Sequence, residues 1–589
     1  MARNRYDVDE VLETPFDFAH LKRSFVYIKK YKGKMITALM LSVFAAISGL
    51  LGPLITQYAL DNTIPQKNMG QLVLLTLAFV GTIAVSITFS TIRSRIMTVV
   101  GQDIIFDIRT DLFKHLQELP FEYYDNRPHG KILIRVVNYV NSVSDMLSNG
   151  IINVILECLN MLFIMIFMFF VNVKLSLVVL SGLPIFAVIM MMIKKRQRKA
   201  WQDVSNKSSN LNAYLQENIT GARVTQIFTR EEENAQIFDR LSEKYRKSWI
   251  NAVKYSNLVW PATDNVSTLV RAAIFVVGLL VLTPAAVSLG TIVAMTSYAS
   301  SFWQPIMNLS NIFNNFINNI AYLERIFETL DEPATIADKP NAQDIGDITG
   351  EVKFDDVTFS YEQGKTVLEH ISFDVKPGES VALVGPTGAG KSTVVSLLSR
   401  FYDLDSGKIT IDGKDISQAT LHSLRSQMGI MLQDSFIFSG TIYDNIRYGR
   451  LDATDEEVIA AAKLANADSF IRKLPDGYNT LLKGDGGNLS QGQRQMLAIA
   501  RAAVADPPAL ILDEATSSID TRTEKMVQDS MDKLMHGRTT FVIAHRLSTI
   551  KNSDCIMVLE KGRIIERGSH ERLLEQKGRY YQLYTGKTA

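Results

Sequence analysis

A glycine-rich run in the second half of the chain has the residue types and spacing of a phosphate-binding loop. It matches the pattern G-x-x-x-x-G-K-[ST] and comprises Gly385, Pro386, Thr387, Gly388, Ala389, Gly390, Lys391, Ser392 and Thr393. An apolar strand-like run, 381–384, precedes it, and a helical pattern follows. Backbone N–H groups of the loop and of the helix start would therefore surround phosphate oxygens. Lys391 would contact the β- and γ-phosphates of ATP, and Ser392 would be a ligand of Mg²⁺.

Three other segments place polar side chains directly after apolar, strand-like runs. Asp513 and Glu514 follow the run 509–512. We expect Asp513 to hold Mg²⁺ through water and Glu514 to polarise the water that attacks the γ-phosphate. Gln433 follows another such run and could bind Mg²⁺, and His545 is placed to bind the γ-phosphate. Carboxyl ends of parallel strands share one sheet edge, so these side chains should converge there.

A second motif lies about a hundred residues after the loop. It is Asn488, Leu489, Ser490, Gln491, Gly492 and Gln493. With it, residues 350–585 resemble the nucleotide-binding domain of ATP-binding cassette transporters, the family in which ATP lies between the phosphate loop of one domain and this motif of a second. The resemblance implies that Tyr361 stacks on adenine. It also implies that Ser490, Gly492 and Gln493 contact a partner's nucleotide. Gln491 stands where that family commonly has Gly.

The chain has 589 residues, too many for one ordinary domain, and its composition changes near residue 330. About 20 apolar residues span a bilayer as a helix. Six stretches meet that length: 36–60, 71–93, 149–171, 174–193, 264–283 and 289–310. A single stretch could be a buried core helix, but six in succession argue against that interpretation.

Positive charge indicates the topology of these spans. Lys29, Lys30, Lys32 and Lys34 precede the first span, and the run 194–199 follows the fourth. Basic residues collect on the cytoplasmic side. The N-terminus, the two long connections (94–148 and 194–263) and the nucleotide-binding domain are therefore predicted to be cytoplasmic parts of a multi-pass protein of the cell membrane.

Six spans with two long cytoplasmic connections resemble the membrane domain of the exporter branch of the same family. The regions 125–141 and 218–231 resemble its two intracellular loops, whose tips dock on nucleotide-binding domains. The predicted fold is a six-span α-helical domain of the type IV exporter kind, followed by an α/β phosphate-loop domain. The predicted boundaries are a cytoplasmic segment 1–35, a membrane domain 36–328, a linker 329–349 and a nucleotide-binding domain 350–589.

Residues 16–30 have the pattern of an amphipathic helix lying on the inner membrane face. Its apolar positions are three or four residues apart: Phe18, Leu21, Phe25 and Ile28. Basic residues lie among them, as expected at a membrane surface. A solvated surface helix is the alternative interpretation.

Ionisable residues inside spans are costly and are candidates for function. At the rise of an α-helix, Glu157 and Arg271 lie at similar depths, inward of the bilayer middle. They could form a pair between helices or line a translocation cavity. The last span carries Asn308, Asn311, Asn315 and Asn319, with Trp303 nearby. This stripe suits an amphipathic cavity and suits plain hydrogen bonding between helices equally well.

The sequence therefore predicts an ATPase, with ATP and Mg²⁺ as cofactors, that exports amphipathic small molecules, drugs or lipids, as one half of a dimer in the lipid membrane. The alternatives are a dedicated peptide or lipid exporter and a non-transporting ATPase, which the six spans make remote. A net charge of +1 gives no sign of the excess positive charge that is typical of nucleic-acid-binding proteins. The second motif and the run Asp513–Asp520 resemble the catalytically complete half of heterodimeric bacterial multidrug exporters, so a heterodimer is favoured over a homodimer.

Overall fold

The computed structural model describes residues 18–125, 127, 129–281, 287–362, 364–431, 436–513, 520–543 and 550–586. The chain forms two compact units. The first unit holds Met1–Gln117 and Pro128–Glu332, and the second holds Glu118–Arg127 and Pro333–Ala589. Gln433, Glu514 and His545 lie outside the described residues.

The described residues before the linker form helices joined by short turns, with no strand among them. Its helices are α1 (Phe18–Lys30), α2 (Lys32–Tyr58), α3 (Met69–Glu118), α4 (Phe121–Asp125), α5 (His129–Ile134), α6 (Val140–Asp145), α7 (Ile151–Val171), α8 (Val173–Thr220), α9 (Ala222–Ile227), α10 (Glu231–Asn257), α11 (Val259–Val276) and α12 (Leu289–Leu330). Turns of π-helix join or extend several of them, at Ala59–Thr63, Arg135–Tyr139, Met146–Gly150 and Val277–Val281.

Several of the predicted spans are the apolar parts of much longer helices. α3 has 50 residues, α8 has 48 and α12 has 42, so the long connections are largely polar continuations of the spans. Among the described residues, five helices are long and apolar enough to cross a membrane. α12 is not among them, because Ser, Thr and Asn interrupt its apolar residues.

The core of the first unit lies where α12 packs between α2, α7 and α11. Phe302 and Trp303 are buried there, and Tyr298 donates a hydrogen bond to the carbonyl of Leu50 at 2.6 Å. Gly182 of α8 admits the indole ring, since a Cβ at this position would lie 3.2 Å from Trp303. Inside a bilayer the surrounding lipid is as apolar as the side chains, so close packing of a ring against a glycine, rather than the hydrophobic effect, holds helices together.

The predicted amphipathic helix forms α1, but its apolar residues do not share one environment. Phe25 is 47% exposed, whereas Ile28 is only 7% exposed and Ser24 is fully buried inside the first unit. Ile28 therefore packs inside the first unit while Phe25 is exposed, and the location of α1 on the inner membrane face stays a prediction. The helix is held by its neighbours in the first unit as well as by any membrane surface.

The second unit contains two main sheets. The strands are β1 (Val352–Glu362), β2 (Lys365–Val375), β3 (Ser380–Val384), β4 (Ser406–Ile411), β5 (Lys414–Asp415), β6 (Met428–Met431), β7 (Gly440–Thr441), β8 (Leu481–Leu482), β9 (Ala509–Asp513), β10 (Thr539–Ile543), β11 (Cys555–Glu560) and β12 (Arg563–Gly568). A sheet in the order β2-β1-β4-β5 is antiparallel, and the larger sheet has the order β12-β11-β3-β10-β9-β6. All pairs of the larger sheet are parallel except that of β11 with β12.

Nine described helices lie between or after these strands, and several of them pack on the larger sheet. They are α13 (Lys391–Leu398), α14 (Leu421–Arg425), α15 (Ile442–Arg447), α16 (Asp455–Leu464), α17 (Asp468–Ile471), α18 (Gln491–Ala505), α19 (Thr521–Met535), α20 (His570–Gln576) and α21 (Arg579–Thr585). Strands buried on both faces have near-continuous apolar sequences, as β3, β9 and β10 do. The predicted α/β architecture is confirmed.

Candidate functional site

The carboxyl ends of four neighbouring parallel strands form one edge of the larger sheet. β3, β10, β9 and β6 lie side by side, and Ile543 pairs in register with both Leu383 and Asp513. The phosphate loop follows β3, and Asp513 is the last residue of β9. The strands that precede the predicted site residues therefore end at one shared edge, and the convergence of the side chains themselves stays a prediction for three of the four. Gln433, Glu514 and His545 follow β6, β9 and β10 in the sequence, but their own positions are not described.

The backbone of the phosphate loop requires glycine. Gly390 has φ +100°, and a Cβ there would lie 2.5 Å from Leu368. A Cβ on Gly385 would lie 2.2 Å from the carbonyl oxygen of Leu559. α13 begins at Lys391, immediately after the loop, so its first N–H groups face the loop interior. A helix N-terminus behind a glycine loop is a ready anion site.

Lys391 is almost buried, with 8% of its surface exposed. Its Nζ donates to the carbonyl oxygens of Gly385 and Pro386, at 2.7 and 3.0 Å. Burial lowers the pKa of this ammonium group, and the negative charge of Asp513 opposes that shift. These two bonds hold the Lys391 side chain across the phosphate loop, where a bound triphosphate would also lie.

A cavity of about 440 Å³ in the second unit adjoins the loop. Tyr361, Ser392 and Asp513 line it, together with Tyr402 and Phe121. The hydroxyl groups of Tyr361 and Thr393 are 3.1 Å apart, and the ring of Tyr361 is 42% exposed. Tyr361, Ser392 and Asp513, which the sequence assigned to one nucleotide site, therefore line one cavity in the structure. It gave no indication of the bond between Tyr361 and Thr393.

The segment Glu118–Arg127, which contains α4, belongs to the second unit. Phe121 packs on Phe401, with ring centroids 4.3 Å apart. The hydroxyl of Tyr402 donates to Asp125 at 2.8 Å, and burial, followed by this bond, raises the pKa of the phenol. The sequence predicted that the tip of the first long connection docks on a nucleotide-binding domain. It did not indicate Phe401 and Tyr402 as the docking residues.

The second motif begins α18. Ser490 is the N-cap, and its Oγ accepts a hydrogen bond from the N–H of Gln493 at 3.3 Å. The Gln493 side chain accepts in return from the N–H of Ser490 at 2.9 Å. This is a capping box, which the spacing S-x-x-Q already indicates. Among the described residues, none of this motif lines the cavity of Tyr361 and Ser392.

The site suits ATP with Mg²⁺ by its shape and its donors. Glycine at Gly385 and Gly390 lets the loop pack closely against Leu559 and Leu368, which keeps the backbone in its phosphate-binding shape. Ser392 and Asp513 supply a hydroxyl and a carboxylate, the oxygen ligands that Mg²⁺ prefers. Lys391 supplies a positive charge, and Tyr361 supplies an aromatic face.

The candidate residues in the membrane part of the first unit do not form one cluster. Glu157 accepts a hydrogen bond from the Nδ2 of Asn308 at 2.7 Å, which links α7 to α12. Arg271 instead donates to Thr268 on its own helix, with Asp264 at 4.0 Å. The expected pair of Glu157 with Arg271 is therefore wrong, because the two side chains point to different neighbours.

Trp303 and Asn311, two candidate residues of α12, have different surroundings. Trp303 is 2% exposed and packs against Phe186, with ring centroids 5.3 Å apart. The expectation that its ring lines a cavity is wrong, since the ring fills the space beside Gly182. Asn311 is exposed, in agreement with an open surface at this depth of α12.

Both units match known families. Residues 35–306 match the ABC transporter transmembrane region, and residues 368–517 match the ABC transporter family. The "Uncharacterized ABC transporter ATP-binding protein YknV" of Bacillus subtilis (strain 168) is 40% identical over 582 residues, 98% of this chain and 96% of that protein. The chain belongs to the ATP-binding cassette exporters.

Further similarities agree with this assignment. A "Fatty acid ABC transporter ATP-binding/permease protein" of Mycobacterium bovis is 38% identical over 492 residues, 83% of this chain and 78% of that protein. The structure of a bacterial Atm1-family ABC exporter with ATP bound aligns with a TM-score of 0.79 at 29% identity, over 95% of this chain and 99% of that one.

The family assignment makes the chain a multi-pass membrane protein with a cytoplasmic, ATP-hydrolysing second unit. The first unit is the membrane domain and has the type IV exporter fold. ATP-binding cassette exporters work as dimers, in which each ATP contacts two nucleotide-binding domains. The separation of the Ser490 motif from the cavity of its own unit agrees with that arrangement.

Proposed function

We propose that the chain is one half of a dimeric exporter that uses ATP to move amphipathic small molecules, drugs or lipids, out of the cell. The observation that carries this proposal is the capped Ser490 motif, which lies outside the cavity of its own phosphate loop. If this motif binds the γ-phosphate of an ATP that is held by another subunit, the chain needs that subunit to complete its sites. The fatty acid transporter among the relatives supports an amphipathic substrate.

Each residue of the site has a role in the proposed cycle. Lys391 and the loop N–H groups bind the β- and γ-phosphates, while Ser392 and Asp513 hold the oxygen shell of Mg²⁺, with Gln433 as a further ligand. Bound Mg²⁺ neutralises negative charge that develops on the phosphate oxygens. Ser490 and Gly492 bind the nucleotide of the partner and draw the two second units together. Glu514 orients the attacking water, and His545 hydrogen-bonds the γ-phosphate.

The tip of the second long connection offers a surface for that partner. Ile219 is 73% exposed, Ile227 is 75% exposed and Phe228 is 67% exposed at the junction of α8, α9 and α10. Three strongly exposed apolar side chains within ten residues at a cytoplasmic tip favour a protein interface. We propose that this tip docks on the nucleotide-binding domain of the partner subunit.

The identity of the partner is tested by purifying the tagged chain alone. We favour a second, different half-transporter, in keeping with the sequence of the Ser490 motif. The lone chain should then show little ATPase activity, and co-expression with the half-transporter that co-purifies with it should restore activity. Robust activity of the lone chain, with two copies in each particle, would support a homodimer instead.

Tyr361 tests the proposed adenine contact. Base–aromatic stacking contributes about 1–3 kcal/mol, so Tyr361→Ala should weaken ATP binding about fivefold to 150-fold. Tyr361→Phe keeps the ring and loses only the bond to Thr393, and should stay within a few-fold of the wild type. Displacement of a fluorescent ATP analogue measures both. Equal affinities of the two variants would show that the ring makes no stacking contact.

The role of Arg271 is tested by transport into proteoliposomes. If the guanidinium lines the translocation cavity, Arg271→Ala should reduce transport of anionic amphiphiles relative to cationic ones of equal chain length. Lys473→Ala, an exposed position of the second unit, is the matched control. An unchanged ratio of the two rates would assign Arg271 to helix packing alone. Failure of the wild-type dimer to transport any amphiphile would instead contradict the proposed function.

A further inference from the structure

The helix α1 and the turn after it carry an unusual concentration of positive charge. Residues 18–34 contain six Lys or Arg residues and no Asp or Glu, namely Lys22, Arg23, Lys29, Lys30, Lys32 and Lys34. Residues three, four or seven apart share one face of a helix. By this spacing the basic residues of α1 divide between two faces, and the structure shows that the two faces have different surroundings.

The inner face is bonded to a row of carboxylates on α3. Lys30 of α1 binds Asp107 at 2.8 Å, and Lys34, in the first turn of α2, binds Asp103 at 2.9 Å. The two carboxylates are four residues apart, so they lie one above the other on α3. Tyr31 adds a bond to Asp107 at 2.7 Å. This half of the positive charge is therefore satisfied within the protein.

The inner face also reaches the end of α12. The Nη2 of Arg23 donates to Asp331 at 2.6 Å, and its guanidinium lies 4.4 Å from the ring centroid of Phe327. The Nε2 of His115 is 2.9 Å from the carbonyl oxygen of Glu332. α1 and α3 thus hold the last turn of α12 at the residue where the first unit ends.

The outer face combines two lysines with two apolar side chains. Lys22 and Lys29 are exposed, as are Phe25 at 47% and Val26 at 71%. Within the described part of the chain, neither lysine forms an ion pair. α2 begins at Lys32 and is one of the helices that can cross a membrane, so the outer face lies at the level of the cytoplasmic headgroups.

We propose that the outer face of α1, formed by Lys22, Phe25, Val26 and Lys29, binds anionic phospholipids of the cytoplasmic leaflet, and that this binding steadies the end of α12 through Arg23. The charge of the face is complementary to phosphatidylglycerol headgroups. Its two apolar side chains enter the boundary between headgroups and acyl chains, as in other interfacial helices. The hydrogen bond from Arg23 to Asp331 connects the lipid-bound helix to the end of α12.

The first experiment measures lipid binding by the full-length chain in nanodiscs of phosphatidylcholine with added phosphatidylglycerol. Native mass spectrometry counts the bound anionic lipids. Each basic residue near the surface contributes about 1 kcal/mol, so Lys22→Gln with Lys29→Gln should weaken phosphatidylglycerol binding about 30-fold. Lys473→Gln with Lys525→Gln, two exposed lysines of the second unit, is the matched control. Equal lipid binding by both double variants overturns the proposal.

The second experiment tests the connection to α12. Phosphatidylglycerol should slow amide hydrogen exchange at residues 327–330 in the wild type. In Asp331→Asn, bound phosphatidylglycerol should remain at the wild-type number, while the slowing is lost. A variant that keeps both would show that the lipid face acts independently of Arg23, and would overturn that half of the proposal. Neither readout depends on ATP hydrolysis or on the exported substrate.

Discussion

Glu514→Gln should bind ATP as tightly as the wild type and hydrolyse it about 10²–10⁴ times more slowly, the usual contribution of a positioned general base. Glu514 directly follows Asp513 in the sequence, and Asp513 ends β9 and lines the cavity beside the phosphate loop. Glutamine keeps the shape of the side chain but does not accept a proton at neutral pH. Single-turnover hydrolysis and ATP binding, measured on the same dimer, separate the two effects.

The control for this variant is Glu575→Gln, an exposed position on α20 that should leave both quantities unchanged. The same slow hydrolysis should also prolong the ATP-bound, closed pair of second units, because hydrolysis is what separates them. Wild-type hydrolysis by Glu514→Gln would remove Glu514 from the role of base and would leave His545 as the residue to examine.

Lys391→Ala should lose both ATP binding and turnover. The ammonium group makes charge-assisted contacts with phosphate oxygens, each contributing about 1.5–3 kcal/mol. Affinity for ATP should therefore fall at least tenfold to a hundredfold, and turnover should fall further, because the γ-phosphate loses its positive partner. Equilibrium binding of ATP and steady-state hydrolysis at saturating ATP measure the two losses.

The variant also removes the bonds from Lys391 to the carbonyls of Gly385 and Pro386. Its melting temperature without nucleotide therefore has to be compared with that of the wild type. Lys376→Ala, an exposed lysine of the same unit, is the matched control. If Lys391→Ala melts like the wild type and still binds ATP with unchanged affinity, the loop lysine has no role in phosphate binding.

The edge shared by the phosphate loop and Asp513 was predictable from the sequence because their motifs combine local conformation with function, whereas the roles of Gln433, Glu514 and His545 stay predictions. The loop 385–393 needs glycine at fixed positions, and Asp513 must end an apolar strand, so spacing alone indicated their shared edge. The same is true of the spans, whose length and hydropathy are local properties. The capping box of Ser490 and Gln493 was also visible as a spacing, although the sequence analysis assigned these residues only to a nucleotide.

Contacts that depend on the rotation of one helix against another were not predictable. Glu157 and Arg271 were predicted to lie at similar depth, but depth says nothing about the direction of a side chain around its helix. The structure turns Glu157 toward Asn308 and Arg271 toward Thr268. Trp303 is buried for the same reason, since its partner Gly182 is more than a hundred residues away in the sequence.

The length of α3 gives the membrane domain a mechanical property. At 1.5 Å per residue its 50 residues extend about 75 Å, and a bilayer core occupies about 30 Å of that length. About 45 Å then acts as a lever arm outside the membrane, where a tilt of about 10° shifts the far end by about 8 Å. A displacement of this size exceeds the length of a hydrogen bond more than twofold. The lever arm thus amplifies a small adjustment among the spans into the making or breaking of whole contacts.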